Sequence, residues 1–365
     1  MCCNSGKDKQ CFLTASLLNL RTSGLSRFRA YVLPHFGTSC IIFIVLSIGN
    51  LTLNSRLILA PMSGISDLAY RLINRAFGCE LAFTEMIGTD SLVHNSRNTL
   101  NMLSTRVDDR PLGVQILGCD PDLIKRSLDI LQEYPFAILD FNAACPVKKV
   151  VSRGKGAGLL KDPAKLQRLL QTIVNNKRVP VTVKIRAGWD ETEINAPEIA
   201  RRAQDAGVDG IFIHGRTRKQ RYSGQVDYDI IRKVKESVQI PVIASGDALS
   251  PELIQDLFNR TGCDGVALAR GALGNPWIFR ESIEYMKKGE ILIRPDVLDI
   301  SQTMKEHLSM NIELHGEKNG VIRFRKFFAW YTRGMAVKDL KQRAFSARSR
   351  DDMLEFITEL EERRN

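Results

Sequence analysis

Residues 206–214, AGVDGIFIH, combine the end of a helix, a glycine-containing turn and an apolar run. Residues 261–269, TGCDGVALA, repeat this order, with glycine at the second and fifth positions and aspartate at the fourth. A glycine just past a helix closes it, and a short apolar run after such a turn is typical of a buried strand. The two stretches therefore indicate one helix–strand unit that the chain uses repeatedly.

The same alternation extends from Ser55 to about residue 287. Strands are predicted at 56–60, 81–85, 112–117, 136–141, 179–185, 210–214, 240–244 and 265–269. Helices are predicted at 67–77, 90–102, 121–133, 163–176, 196–206, 228–237, 251–259 and 276–287. Three of these helices should begin with a capping side chain before a proline, at Asp162-Pro163, Ser250-Pro251 and Asn275-Pro276. Eight β/α units over about 235 residues predict an α/β fold of the (β/α)8 TIM barrel type, because doubly wound sheets usually have fewer strands.

This pattern divides the chain into three regions. Residues 48–294 hold the predicted barrel. Residues 295–365 carry no strand signal and are rich in helix formers, which predicts a small domain of three or four helices. Residues 1–47 show no period, and we expect an N-terminal extension of unknown role. Its apolar run, 40–46, is far shorter than the roughly 20 residues of a membrane span and leads straight into a strand-like segment rather than a secretory cleavage site.

Cysteines and histidines are dispersed along the chain. Four of the eight cysteines lie in the first 47 residues, and the other four form no C-x-x-C pair. The five histidines are also scattered. This distribution favours neither a disulfide scaffold nor a metal centre, so we expect a reduced, cytoplasmic protein without metal.

The chain carries a net charge of +11, which favours a polyanionic partner such as nucleic acid. Five basic residues and one acidic residue give the first fifty residues +4 of this charge, so the rest carries +7. The most basic helical segment is 323–333, RFRKFFAWYTR. Its aromatic residues would form one apolar stripe on a helix: Phe324, Phe327, Phe328 and Tyr331. Its basic residues lie on the other faces: Arg323, Arg325, Lys326 and Arg333. A packed helix with a solvated basic face and an RNA-facing surface explain this segment equally well.

A candidate reactive group follows the fourth predicted strand, in residues 139–150, LDFNAACPVKKV. The apolar run ends in Asn142, two alanines and Cys145, and two lysines follow, which is typical of a strand that leads into a functional loop. A cysteine there is reactive only if its surroundings set its ionisation and access, and Lys148 and Lys149 would place positive charge beside it. A small buried apolar residue is an equally good interpretation of Cys145 from this stretch alone.

In a TIM barrel the residues just past each strand meet at one face, where active sites lie. Here these residues are mostly polar: Pro61-Met62-Ser63, Glu85-Met86, Gln115, Asn142 with Cys145, Lys184 with Arg186, His214 with Arg216, Ser245-Gly246-Asp247 and Ala269-Arg270-Gly271. The last two are short glycine-containing exits at which barrels often bind phosphate, and Arg270 adds a cation. A phosphorylated ligand is implied, which Lys184 and His214 could also reach.

Several separate stretches resemble the tRNA-dihydrouridine synthases, and the B-type bacterial group most. They are LILAPMSGISD (57–67), the strand ending in Gln115, DFNAACPVKKV (140–150), VTVKIRAGW (181–189), IHGRTR (213–218), PVIASGD (241–247), ALARGALGNPWIFRE (267–281) and RFRKFFAWY (323–331). The resemblance runs from about Ile48 to the C-terminus. Three positions depart from the usual pattern: Phe327 replaces a histidine, Ala144 a glycine and Ser245 an asparagine.

The resemblance implies an enzyme that uses FMN and NADPH to reduce the C5=C6 bond of particular uridines in tRNA. It implies that Cys145 is the general acid for C5 of the uracil. It places Asn142 next to the base, and the helical region 295–365 becomes a tRNA-binding domain. It implies flavin contacts from Pro61, Met62, Ser63, Gln115, Lys184, His214, Ser245, Gly246, Asp247, Ala269 and Arg270. We further expect tRNA contacts from Lys148, Lys149, Arg153, Arg323, Arg325 and Lys326, and a monomer.

Two rival interpretations remain at this point. A flavin barrel of the same fold could act on a free small molecule such as dihydroorotate or an enone, although the helical region and the basic charge argue against this. A tRNA-binding module with a vestigial barrel is the second, and the presence of Cys145, Lys184, His214 and Arg270 argues against it.

Overall fold

A computed structural model describes residues 45–363 of the protein. Residues 1–44, which include most of the predicted N-terminal extension and most of the apolar run 40–46, lie outside the described residues, as do 364–365. Within 45–363, no helix has both the length and the apolar character needed to cross a membrane.

Ten strands in this part of the chain form two sheets. An antiparallel hairpin comprises β1 (Leu46–Ile48) and β2 (Leu51–Leu53). The other eight strands are parallel: β3 (Leu57–Leu59), β4 (Leu81–Gly88), β5 (Leu112–Leu117), β6 (Ile138–Asn142), β7 (Val181–Arg186), β8 (Gly210–His214), β9 (Val242–Ser245) and β10 (Gly265–Leu268). They close into a barrel because β10 pairs with both β9 and β3. The predicted (β/α)8 barrel is confirmed, and every predicted strand is present.

The hairpin closes the N-terminal end of the barrel. Ile48 packs against Gly210, the first residue of β8, and belongs to the apolar cluster that fills the lower barrel. Phe83 and Phe212 continue this cluster edge to face, with ring centroids 5.6 Å apart. The predicted N-terminal extension overlaps the start of β1, because a strand of three residues carries too little alternation to be recognised in the sequence.

The outer helices of the barrel follow the predicted phasing with three exceptions, one of which is a short helix at 148–151 that was not predicted. They are α1 (Leu68–Ala76), α2 (Thr89–Val93), α3 (Arg97–Met102), α4 (Pro121–Leu131), α5 (Lys148–Val151), α6 (Pro163–Asn175), α7 (Ala196–Asp205), α8 (Tyr228–Ser237), α9 (Pro251–Thr261) and α10 (Ile278–Lys288). The single helix predicted at 90–102 is wrong, because Asn95 has a left-handed φ of 51° and separates α2 from α3. Asp162 and Ser250 cap α6 and α9 as predicted. The predicted cap at Asn275 is wrong, since that side chain donates to the Gly271 carbonyl at 3.2 Å and α10 begins at Ile278.

Four further helices confirm the C-terminal helical region: α11 (Val297–His315), α12 (Glu317–Tyr331), α13 (Lys338–Ala344) and α14 (Arg350–Glu362). The aromatic stripe of α12 is buried as predicted. Phe327 stacks on Tyr70 of α1, with centroids 5.5 Å apart, and lies 4.4 Å from the ring of His307 on α11. Aromatic packing therefore joins the helical region to the first helix of the barrel.

Candidate active site

A cavity of about 500 Å³ opens at the C-terminal ends of the barrel strands. Asn142 and Cys145 line it together with all eleven residues predicted to contact a flavin: Pro61, Met62, Ser63, Gln115, Lys184, His214, Ser245, Gly246, Asp247, Ala269 and Arg270. The structure thus brings these thirteen residues together, while the role of each one stays a prediction.

Cys145 lies at the wall of this cavity, partly exposed, in the loop that follows β6. Its backbone N–H donates to Asn142 Oδ1 at 2.8 Å, and its carbonyl accepts from the Ala157 N–H at 3.0 Å. Burial raises the pKa of the Cys145 thiol, and this effect exceeds the opposing effects of a backbone hydrogen bond and of Arg186. The adjacent lysines were expected to supply positive charge, whereas the charge that acts on the thiol comes from Arg186.

The backbone around Cys145 is unstrained at Ala144, which is absent from the described residues with positive φ. The substitution of the usual glycine therefore costs no backbone strain. Positive φ occurs instead at Gly156 (57°), where a Cβ atom would lie 2.8 Å from the Cys145 carbonyl oxygen. A glycine is required there because the returning loop packs directly against the cysteine backbone.

A chain of buried hydrogen bonds runs beneath the cavity. Thr182 Oγ1 donates to Asp140 Oδ1 at 2.7 Å, and Gln115 Nε2 donates to Asp140 Oδ2 at 2.6 Å. Gln115 Oε1 in turn accepts from Asn142 Nδ2 at 2.8 Å. A carboxylate only accepts, so Asp140 fixes the orientation of both amides and leaves Asn142 Oδ1 to accept from the backbone of Cys145. Burial raises the pKa of Asp140 to about 6, although its two hydrogen bonds and Lys184 lower it.

Cationic side chains from β7 onward also line the cavity. Lys184 Nζ donates to Ser245 Oγ at 3.0 Å, and burial lowers the pKa of Lys184 to about 8. His214 is buried among Arg186, Lys184, Arg216 and Arg270, and burial together with these charges lowers its pKa well below the ordinary value. His214 is therefore neutral at pH 7 and can accept one hydrogen bond and donate another.

Gly246 and Asp247 leave strand β9 in an unusual turn. Their φ angles are 113° and 51°, and a Cβ atom at Gly246 would lie 2.8 Å from His214 Cδ2. Asp247 accepts from Arg216 Nη1 at 3.1 Å and from Arg270 Nη2 at 2.6 Å. The turn therefore brings bare backbone to the cavity wall, and Asp247 holds Arg270 beside it.

Several other lining residues received no role from the sequence, and Met86, Arg186 and Tyr222 are among them. Met86 and Arg186 stood at predicted strand ends, and Arg186 proves to anchor the reactive loop, since its Nε donates to the Ala144 carbonyl at 2.7 Å. Tyr222 lies in the loop after β8, is 57% exposed, and has its ring 5.6 Å from the guanidinium carbons of both Arg186 and Arg270. No periodic pattern marked this tyrosine, because it belongs to an irregular loop.

The predicted tRNA contacts fall into two groups outside the cavity. Lys148, Lys149 and Arg153 are exposed on and just after α5. On α12, the three basic residues differ from one another. Arg323 is exposed and lines a surface groove with Arg97 and His315. Arg325 Nε donates to the Ala347 carbonyl at 2.9 Å, and Lys326 Nζ donates to the Gly64 carbonyl.

Comparisons with known proteins agree with this architecture. A sequence model described as dihydrouridine synthase matches residues 58–363. The chain is 38% identical over 292 residues to a probable tRNA-dihydrouridine synthase of Rickettsia conorii, which covers 80% of this chain and 88% of that protein. It is 36% identical over 300 residues to tRNA-dihydrouridine synthase B of Pasteurella multocida, covering 82% and 90%. Among solved structures, histamine dehydrogenase from Rhizobium sp. 4-9 shares the fold at a TM-score of 0.54 and 12% identity, covering 74% of this chain and 51% of that one.

Proposed function

Since the chain belongs to the dihydrouridine synthase family and is a flavin-dependent oxidoreductase, we propose that it reduces the C5=C6 bond of uridines in tRNA, with FMN as its bound cofactor and NADPH as reductant. The observation that carries the proposal is the shared cavity: Cys145, whose thiol pKa is raised by burial, lines the same space as the cationic, glycine-containing segments that follow β7 to β10.

The cavity residues fit a flavin mononucleotide. A Cβ atom at Gly246 would collide with His214 and Val226, so only a glycine allows this turn, whose backbone N–H groups can then approach a phosphate. Arg270 and Lys184 supply positive charge on the same wall, and Gln115 and Asn142 present oriented amides to the polar edge of a ring. The residues proposed to hold FMN are the eleven named above. When bound and reduced by NADPH, the flavin supplies a hydride for C6 of the uracil.

The protein itself would supply the proton for C5. A thiol with a raised pKa still holds its proton at neutral pH, whereas a carboxylic acid would usually have lost it. Asn142 and Arg186 fix the peptide group before Cys145, and the Ala157 N–H fixes the carbonyl after it, so the thiol keeps its place at the cavity wall. Tyr222 and Arg186 would contact the base, since both line the cavity and lie close to each other.

A uridine stacked in RNA cannot enter such a cavity, so the target nucleotide has to be flipped out of its stack. The phosphates around it would be held by exposed cations at the rim, including Lys148, Lys149 and Arg153, and by Arg323 on α12. A cavity of about 500 Å³ that also holds a flavin has no room for a stretch of RNA, so a tRNA substrate would dock outside and insert one base.

The test is to incubate the purified protein with NADPH and tRNA that lacks dihydrouridine, and to map the reduced positions. The proposal expects reduction at one or a few uridines, and bound FMN released from the protein on denaturation. Reduction of free uridine or dihydroorotate in the absence of RNA would instead support a small-molecule enzyme. A protein that binds tRNA but holds no flavin would support a binding module.

A further inference from the structure

The loop 61–67, between β3 and α1, forms one side of the cavity. Pro61, Met62, Ser63 and Ile65 line the cavity from this loop. A tight turn shapes it, because the N–H groups of Ile65 and Ser66 both donate to the Met62 carbonyl at 3.0 Å. The Ser66 hydroxyl closes the turn by accepting from the Met62 N–H at 2.9 Å. The shape of the cavity wall therefore depends on whatever holds this turn in place.

The helical region holds the middle of the turn. Lys326 Nζ, on α12, donates to the Gly64 carbonyl, while the Gly64 N–H donates to Oε2 of the buried Glu85. The peptide groups on both sides of Gly64 are thus fixed by charged side chains. Gly64 is exposed, has a φ of 71°, and meets nothing within 4 Å on its Cβ side. Hydrogen bonds to charged groups are the stronger class, and these two carry the restraint.

A second contact holds the end of the loop. His315 Nε2, in the last turn of α11, lies 2.9 Å from Asp67 Oδ2. Asp67 caps α1 by accepting from the Tyr70 N–H at 3.1 Å, and Tyr70 is the residue on which Phe327 stacks. Helices α11 and α12 of the helical region therefore each form a hydrogen bond with this short loop.

We propose that the helical region positions the cofactor wall of the barrel, and that Lys326 is a positioning residue for the loop 61–67 rather than a contact for RNA. The proposal rests on the proposed function only for the identity of the cofactor. Lys326 is half-buried, and its neighbours Glu85 and Asp67 are acidic, so a phosphate would have to compete with carboxylates already beside it. Arg323, three residues earlier, has neither restriction.

The experiment compares Lys326→Met, Lys326→Arg and the control Lys318→Met, which removes an exposed lysine from the same helix. The first measurement is amide hydrogen exchange of Ile65 and Ser66 in the flavin-free protein. The second is the dissociation constant for FMN, by fluorescence titration. We expect Lys326→Met to increase the exchange rate about tenfold and to raise the dissociation constant for FMN about tenfold. A tenfold change corresponds to the contribution of one hydrogen bond to a charged group. Lys326→Arg, which keeps a donor, should lie near the wild type, and Lys318→Met should match it.

Unchanged exchange and FMN affinity in Lys326→Met, with a raised KM for tRNA, would overturn the proposal and return Lys326 to the RNA surface. If the wild-type protein binds no FMN, the proposed function fails, yet the exchange comparison still tests the positioning role. If Lys326→Met fails to fold, His315→Leu, which removes the hydrogen bond to Asp67, tests the same loop at its other anchor. Faster exchange at Ile65 and Ser66 is again expected there, and wild-type exchange would overturn the proposal.

Discussion

Gln115 Nε2 donates to Asp140 Oδ2 at 2.6 Å beneath the cavity, and this one bond sets the direction of every amide above it. Replacing Asp140 by leucine would leave the Gln115 amide and the Thr182 hydroxyl without their acceptor. Each buried donor left unpaired costs roughly 1–3 kcal/mol. Asp140→Leu should therefore lower the free energy of unfolding several times more than a typical substitution on the protein surface does. Asp140→Asn keeps an acceptor for Gln115, and Thr182 can accept from its amide, so a smaller loss is expected. Urea unfolding measures both, and equal stability of Asp140→Leu and wild type would contradict the account.

The pH dependence of stability offers a second test at the same residue. Burial raises the pKa of Asp140 to about 6, whereas an unfolded aspartate has a pKa of about 3.9. Between these values the folded protein binds more protons than the unfolded chain, so this group's contribution to stability is present below about pH 4 and is lost as the pH rises through 6. The amide introduced by Asp140→Asn does not titrate. The free energy of unfolding of the wild type relative to Asp140→Asn should therefore fall by roughly 2 kcal/mol from pH 4 to pH 7. A constant or rising difference would argue against the raised pKa.

Gly246 tests the proposed phosphate wall. Gly246→Ala would place a methyl group 2.8 Å from His214 Cδ2 on a residue with a left-handed φ, so the turn must move. We expect the affinity for FMN to fall by at least tenfold, which corresponds to about the free-energy cost of one strained residue. Gly262→Ala is the matched control, because Gly262 also has a left-handed φ of 65° but meets nothing within 4 Å. Both variants should lose about 1 kcal/mol of stability from the backbone alone. Fluorescence titration with FMN separates them, and equal affinities would remove Gly246 from the site.

Arg323 and Arg325 should behave differently although they stand two residues apart. Arg323 is exposed, so Arg323→Ala should weaken tRNA binding. It should also reduce the slope of log K against log salt concentration by about one, because one fewer phosphate is neutralised. Arg325 donates to the Ala347 carbonyl, so Arg325→Ala should cost roughly 1 kcal/mol of stability. Filter binding over a salt series, with urea unfolding of both variants, gives the comparison. Identical salt slopes for the two variants would show that exposure does not select the RNA contacts.

The sequence predicted the barrel well because its signal is repeated. Eight apolar runs with turns at fixed places determine which residues reach the C-terminal face, so the thirteen cavity residues could be collected from the sequence alone. Features without a period were not predicted. The hairpin strand β1 has three residues, too few to show the alternating pattern of a strand. Tyr222 lines the cavity but lies in an irregular loop.

Contacts that depend on side-chain direction were also beyond the sequence. The basic residues of α12 look alike as letters, yet Lys326 reaches the Gly64 carbonyl and Arg325 the Ala347 carbonyl. The same reason applies to Cys145. Lys148 and Lys149 were expected to supply the positive charge beside its thiol, but the charge that lowers the thiol pKa comes from Arg186, on the next strand of the barrel. The spacing of residues along a helix predicts which face of the helix a side chain occupies, but not which group that side chain contacts.

The central claim is that Cys145 donates the proton in uridine reduction, and the direct measurement is the single-turnover rate of dihydrouridine formation in the FMN-loaded, reduced protein. Cys145→Ala should bind FMN and tRNA as the wild type does and lose a factor of roughly 100–10,000 in rate, the usual worth of a general acid. Cys119→Ala, which removes the other partly exposed cysteine among the described residues, should keep the wild-type rate. A Cys145→Ala protein that reduces tRNA at the wild-type rate would contradict the account.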